Sequence, residues 1–198
     1  MKRISAIAVG LLAVAAILAG CATAPNKQGW VTLFDGTSLE NWNRTGEANW
    51  RLSEGAVMAD KGVKSPSYLV SKNSYGDFEL KVEFWADSDA NSGVFLRCSD
   101  PAKVGAATAY EVQIDDKRTD GTGTGAITNL TKVLPAIRAA GQWNTYEITA
   151  KGTQLTVALN GAVTASIQNS KYARGPIALQ YIAGIVKFRR VEIRPLGP

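Results

Sequence analysis

The 198-residue chain contains no histidine. That absence removes the Ser-His-Asp triad, the Cys-His pair, histidine-ligated zinc and any imidazole general base. Chemistry is left to carboxylates, Arg, Lys, Tyr, Asn and Gln. Cysteine is nearly missing too, with Cys21 and Cys98 the only two. Cys98 lies in the apolar run Val94-Phe95-Leu96-Arg97-Cys98 and reads as a buried structural thiol, because no imidazole is available to activate it. Clustered basic charge is also lacking. Arg189-Arg190 is the one adjacent arginine pair beyond the first few residues, so a nucleic-acid surface is not expected. No stretch after residue 28 sustains a helical period, although 133–140 has room for about one helical turn. An apolar share of 45% and a charged share of 20% are ordinary for one folded domain, which excludes disorder and a multi-span membrane protein.

The one long apolar run is at the start. Lys2 and Arg3 precede residues 4–19, which are apolar apart from Ser5 and Gly10. This has the form of the charged and apolar regions of an export signal, and it is short for a spanning helix. It ends Leu18-Ala19-Gly20-Cys21, which resembles a bacterial lipobox. Cleavage before Cys21 would leave a thiol carrying diacylglycerol. The expected organisation is a signal peptide over 1–20, a lipidated tether over 21–28 and one domain over 29–198. Loss of Lys2 and Arg3 lowers the formal charge from +5 to +3. Ala22 follows the lipid-bearing cysteine. By analogy with Gram-negative sorting, a residue other than Asp there implies the cell envelope, on the periplasmic face of the outer membrane, with the membrane engaged through the lipid.

Beyond residue 29 the dominant period is two. Phe78, Leu80, Val82 and Phe84 share one face, while Glu79, Lys81, Glu83 and Trp85 share the other. The segment 143–150 repeats the pattern. Asn160-Gly161 between 154–159 and 162–167 is the strongest short-range hairpin signal, and Glu54-Gly55 between 50–53 and 56–59 resembles it. Further strands are expected at 31–34, 68–71, 92–97, 110–114, 125–127, 177–181 and 185–194. About a dozen short strands without helices predict an all-β sandwich of two antiparallel sheets. Trp30, Trp42, Trp50 and Trp143 are expected to anchor the core. The run Gly121-Thr122-Gly123-Thr124-Gly125 is no phosphate loop, since no Gly-Lys-Ser/Thr follows, and it is expected to form a mobile rim.

Several blocks then carry a likeness. They are Gly29-Trp30-Val31-Thr32-Leu33-Phe34-Asp35-Gly36, Tyr75-Gly76-Asp77-Phe78, Asn91-Ser92-Gly93-Val94-Phe95-Leu96-Arg97 and Tyr110-Glu111-Val112-Gln113-Ile114. Gly141-Gln142-Trp143-Asn144, Leu159-Asn160-Gly161, Gly175-Pro176-Ile177-Ala178-Leu179-Gln180 and Phe188-Arg189-Arg190-Val191-Glu192-Ile193 complete the set. In this order they resemble the 3-keto-disaccharide hydrolase domain family. The resemblance implies a concanavalin A-like jelly roll whose concave sheet cups carbohydrate. It also implies export in bacteria and action on sugars with a ketone at C3. Relatives often carry a histidine soon after the Leu-Gln block, where this chain has Tyr181-Ile182-Ala183-Gly184.

Glu111 and Gln113 point the same way on a strand. By spacing alone they are a solvent-facing polar pair; by resemblance they lie on the sugar-binding sheet, with Glu111 the principal carboxylate and Gln113 a hydroxyl ligand. Arg97 is either a structural ion pair or a forked donor to a ketone or enolate oxygen. Asn91 serves turn geometry or the sugar. Glu83 and Trp85 share a non-core face, where the indole either stacks on a pyranose or packs under a loop. Gln180 completes the expected substrate-binding set. A ketone acidifies the neighbouring C2 hydrogen, so one base and one oxyanion stabiliser suffice for cleavage through an enolate, and Glu111 and Arg97 are the expected catalytic pair. No cofactor is required by this chemistry. A divalent metal remains compatible with the oxygens of Glu111, Gln113, Asp115 and Asp116. The alternative is a non-catalytic, lectin-like carbohydrate-binding module.

Overall fold

The alternation of apolar and polar residues is realised as thirteen strands in two antiparallel sheets. The computed structural model describes residues 29–197, so Cys21, the signal peptide and the tether lie outside the described residues. The strands are β1 (Val31–Phe34), β2 (Trp42–Thr45), β3 (Arg51–Ser53), β4 (Ala56–Ala59), β5 (Ser67–Tyr75), β6 (Phe78–Ala86) and β7 (Ser92–Leu96). They continue with β8 (Tyr110–Ile114), β9 (Trp143–Lys151), β10 (Gln154–Leu159), β11 (Ala162–Gln168), β12 (Gly175–Tyr181) and β13 (Val186–Pro195). The larger sheet has eight strands in the order β11-β10-β9-β6-β13-β4-β3, with β1 also on β13. The smaller has five, in the order β2-β5-β12-β7-β8.

Local chemistry explains the joints. Asn160 and Gly161 both have positive φ (50° and 84°), the conformation a two-residue primed hairpin turn needs. A bulge at Arg189 shifts the β13 register, and the free edge of β13 changes partner from β4 to β1 across it. The core lies between the sheets. Phe78, Leu80, Val82 and Phe84 of β6 and Tyr146 and Ile148 of β9 meet Leu69, Leu179, Tyr181, Val94, Leu96 and Val112 from the five-stranded sheet. Burying each such side chain contributes about 1.5–3 kcal/mol.

Some expectations need correction. Trp42 and Trp50 are core residues, but Trp30 and Trp143 are only partly buried, each with a cation over its ring. Residues 133–140 form no helix, and 125–127 is no full strand, although it runs beside β8 through a bridge to Val112 and backbone hydrogen bonds with Gln113. The strand β2 carries no alternation strong enough to announce it. The glycine-rich segment is packed rather than a rim, since a side chain at Gly123 would meet the Asp115 carbonyl at 2.4 Å.

The five-stranded sheet is buried on both faces over β12, β7 and β8. Every residue of β7, β8 and β12 is buried. Its inner face joins the main core. Its outer face carries a small apolar cluster of Tyr68, Val70, Phe95, Cys98, Ala109 and Ala178, with Val104 packed against it. Cys98 is therefore the buried free thiol expected.

Candidate functional site

Beside that cluster, the same outer face turns polar. On β8, Tyr110, Val112 and Ile114 enter the core, so Glu111 and Gln113 point outward together. Their cross-strand partners on β7 are Phe95 and Gly93. A side chain at Gly93 would sit 3.2 Å from Glu111 Oε1 and 3.3 Å from its Cγ, so the carboxylate leans across the space that glycine leaves open. On the next strand, Gln180 follows the Leu179–Val94 pair and borders Gly93 from the other side. Tyr68 of β5 is the partner of Gln180. Gln180 Nε2 donates to the Tyr68 hydroxyl at 3.4 Å, and the Tyr68 ring meets Phe95 edge to face at 5.5 Å.

A short polar chain fixes the carboxylate from the β8 edge. The neighbours of Gln113 are satisfied when its amide nitrogen faces Glu111 Oε1 and Ser92 O, each at 3.0 Å, and its oxygen faces Arg118 Nη1 and Nη2 at 3.2 and 2.9 Å. Arg118 Nε in turn donates to Asp115 Oδ2 at 3.1 Å. The backbone beneath is pinned from the core: the Tyr146 hydroxyl donates to Gln113 O at 2.6 Å and accepts from Gly125 N at 2.8 Å. Burial pushes the Glu111 carboxyl above the usual carboxylate value, while the Thr128 hydroxyl and the Arg118 charge pull it down less strongly. Burial likewise raises the Tyr68 phenol, and the nearby Glu111 charge adds to that. Past Arg118 and Thr128 lies a pocket of about 350 Å³, bounded also by Thr122, Leu130 and Lys132.

Two buried amide oxygens border this row without a donor in reach among the described residues, Gln180 Oε1 and Asn91 Oδ1. An unpaired buried acceptor costs about 1–3 kcal/mol, so each is a place where a ligand hydroxyl would be favourable. Four expected residues, Glu111, Gln113, Gln180 and Asn91, thus belong to the outer face of one sheet.

Three others do not. Arg97 is 1% exposed and turned to the end of the sandwich. Its Nε donates to Gly76 O and its Nη1 to Gly152 O, each at 2.8 Å, with Tyr172 O at 3.4 Å. Its Nη2 pairs with Asp77 Oδ1 at 2.9 Å. With φ at +52° after Leu96, the chain leaves the strand pattern and swings the guanidinium away from the Glu111 face. Glu83 and Trp85 belong to β6 of the other sheet, on its outer face. Glu83 pairs with Arg189 Nε at 2.5 Å, and Lys187 Nζ lies 5.4 Å from the Trp85 ring. The whole core separates them from Glu111. The oxygens considered for a cation are also committed. Asp115 holds Arg118 and Lys117 N, and Asp116 accepts from Thr124 and from the amides of Ala139 and Ala140. Among the described residues no three His, Cys, Asp or Glu side chains converge on one point.

Tyr68, Gly93, Arg118 and Thr128 were not among the site residues expected from the sequence. The three-residue spacing of Asp115 and Arg118 was the one local signal for that pair. Nothing local marks Tyr68.

Comparison with known proteins places this geometry in context. The model of the 3-keto-alpha-glucoside-1,2-lyase-like domain matches residues 29–194. A solved structure of a candidate glycosyl hydrolase from Parabacteroides distasonis is 26% identical, covers 84% of this chain and 99% of its own, and superposes with a TM-score of 0.71. A β-glucanase of Bacillus licheniformis shares the fold at 13% identity, covering 86% of this chain and all 100% of its own, with a TM-score of 0.64. A carbohydrate-binding module of Bacillus subtilis does so at 16% identity, covering 85% of this chain and 97% of its own, with a TM-score of 0.61. No curated protein matches the chain. The two-sheet sandwich is the concanavalin A-like jelly roll that the family resemblance implied.

Proposed function

The chain belongs to the 3-keto-alpha-glucoside-1,2-lyase-like domain family, and from that membership we propose that it cleaves the glycosidic bond of 3-keto glycosides through an enolate. The observation that carries this reading is the Glu111 carboxylate leaning over Gly93, raised by burial and flanked by Arg118 through Gln113. A C3 ketone makes the C2 hydrogen acidic. Glu111 removes it, and a raised pKa makes the carboxylate a stronger base once it is ionised. The electron pair moves onto the C3 oxygen, which Arg118 holds with guanidinium hydrogen bonds in the role first expected of Arg97. The enolate then returns its electrons and expels the C1 oxygen. Water adding to the product completes hydrolysis, and without that addition the outcome is elimination. A positioned base contributes about 10²–10⁴-fold and an oxyanion donor about 10²–10³-fold.

Gln180 Oε1 and Asn91 Oδ1 accept from sugar hydroxyls, and Gln113 orients both catalytic groups. Base and stabiliser are both side chains, so the reaction needs no cofactor. The partner is a carbohydrate rather than a nucleic acid. Cys21 carries the lipid that holds the protein at the periplasmic face of the outer membrane.

A second reading, a non-catalytic carbohydrate-binding module, is favoured by the absence of histidine and by the orphan amide acceptors. One experiment separates the two. The mature protein is incubated with 3-ketotrehalose or 3-ketolactose, with and without chelator, and free glucose is followed. Release that disappears in Glu111→Gln supports the lyase. Binding without release, or release that survives Glu111→Gln, overturns it.

A further inference from the structure

We propose that Tyr68 is the catalytic acid of this site, giving its phenolic proton to the leaving-group oxygen while Glu111 works at C2; the proposal rests on the enolate reading above. The order of side chains across the five-stranded sheet carries it. From β5 to the β8 edge the row reads Tyr68, Gln180, Gly93, then Glu111 with Gln113, then Arg118. A 3-keto glycoside presents its reacting atoms in a matching order: the C1 oxygen, the C2 hydrogen, the C3 oxygen. With C2 over Glu111 and the C3 oxygen at Arg118, the glycosidic oxygen falls on the Tyr68 side. The missing side chain at Gly93 is what lets the Glu111 carboxylate reach across β7 toward the Tyr68 side.

The phenol is set up to give a proton. Its oxygen accepts from Gln180 Nε2 at 3.4 Å, and among the described residues its own proton meets no acceptor. The edge-to-face contact with Phe95 fixes the ring. A phenol is protonated at neutral pH, and burial pushes this one further in the same direction. It is nonetheless a far stronger acid than an alcohol, so transfer to a departing alkoxide is downhill. The Gln180 amide then faces the phenolate oxygen as a donor and stabilises it. Gln180 Oε1, which has no donor of its own, is left to hold a hydroxyl of the same ring.

The steps balance. The Glu111 carboxylate takes the C2 proton, and the C–H electrons form C2=C3 with charge on the C3 oxygen. That charge returns to re-form C3=O. The former C2=C3 pair becomes C1=C2, the C1–O bond breaks, and the leaving oxygen takes the Tyr68 proton. Proton transfer from the Glu111 acid to the Tyr68 phenolate, through an intervening water, restores both groups. The products are an unsaturated keto sugar and an alcohol, and no oxidant or reductant is involved.

The test compares the native protein, Tyr68→Phe and Glu111→Gln on two 3-keto glucosides, one of methanol and one of 4-nitrophenol. Exchange of the C2 hydrogen in D₂O is followed by NMR alongside release of the alcohol. Tyr68→Phe is expected to keep C2 exchange and to lose about 10²–10⁴-fold in methanol release. Release of 4-nitrophenol, which needs no proton, should fall by less than about tenfold. Glu111→Gln should lose exchange itself. Equal slowing of both leaving groups by Tyr68→Phe, or equal loss of exchange, overturns the role of Tyr68 and leaves the base intact. Absence of both exchange and alcohol release in the native protein overturns both readings. Should Tyr68→Phe fail to fold, 3-fluorotyrosine at position 68 replaces it. Its more acidic phenol must move the alkaline limb of kcat/KM for the methyl glucoside to lower pH, and an unmoved limb refutes the proposal.

Discussion

Replacing Arg97 by methionine distinguishes a structural guanidinium from a catalytic one. Arg97 closes one end of the sandwich. It joins the end of β7, in the five-stranded sheet, to the β5–β6 turn through Gly76 and Asp77 and to the β9–β10 turn through Gly152, with Tyr172 as a fourth partner. Methionine keeps most of the side-chain volume and none of the donors. Breaking a buried charge pair costs about 3–5 kcal/mol. The Asp77 side chain is 34% exposed and regains some hydration, which lowers the expected loss to about 2–4 kcal/mol. In a domain of this size that corresponds to a fall in Tm of roughly 4–16 °C. Urea unfolding should show a lower midpoint with an unchanged m-value. Turnover of a 3-keto glycoside, measured well below the melting transition and per folded molecule, should match the native protein. An Arg97→Met protein that melts with the native one yet has lost turnover would refute this, and would return Arg97 to the oxyanion role first expected of it.

Three further expectations can be checked directly. Gly93→Ala places a methyl 3.2 Å from Glu111 Oε1, so kcat should fall several-fold while Tm changes by only a few degrees, as read by steady-state kinetics and calorimetry. Glu111 has a folded-state pKa above its unfolded value, so the native state binds the extra proton between the two. Stability should therefore fall as pH rises through that window, Glu111→Gln should flatten the curve and be the more stable protein at neutral pH, and kcat/KM should rise over the same window as the base ionises; denaturation and kinetics across pH 4–8 test all three. Cys21→Ala should move the protein from the membrane fraction to the soluble periplasm, as followed by fractionation and by labelled fatty acid.

Much of this protein is set by local sequence. The period of two in 78–85 and 143–150 makes strands, and the same period puts Glu111 and Gln113 on one side of β8 wherever that strand goes. Asn160-Gly161 fixes its hairpin, because both residues accept positive φ at low cost. The total lack of histidine narrows the chemistry before any coordinates exist. The period says which residues share a face of a strand. It does not say which sheet the strand joins, because that depends on pairing between segments far apart in the chain. Glu83 and Trp85 were read correctly as facing away from the core, yet β6 lies in the eight-stranded sheet, so they face the opposite side from Glu111. Tyr68 and Gln180 meet only because β5 pairs with β12 across more than a hundred residues. Arg97 leaves the strand pattern through a single positive φ, and Arg118 reaches Gln113, the neighbour of Glu111, because the turn after β8 folds back. Side-chain direction along a strand is local stereochemistry, whereas the company a side chain keeps is settled by long-range packing that joins the two sheets.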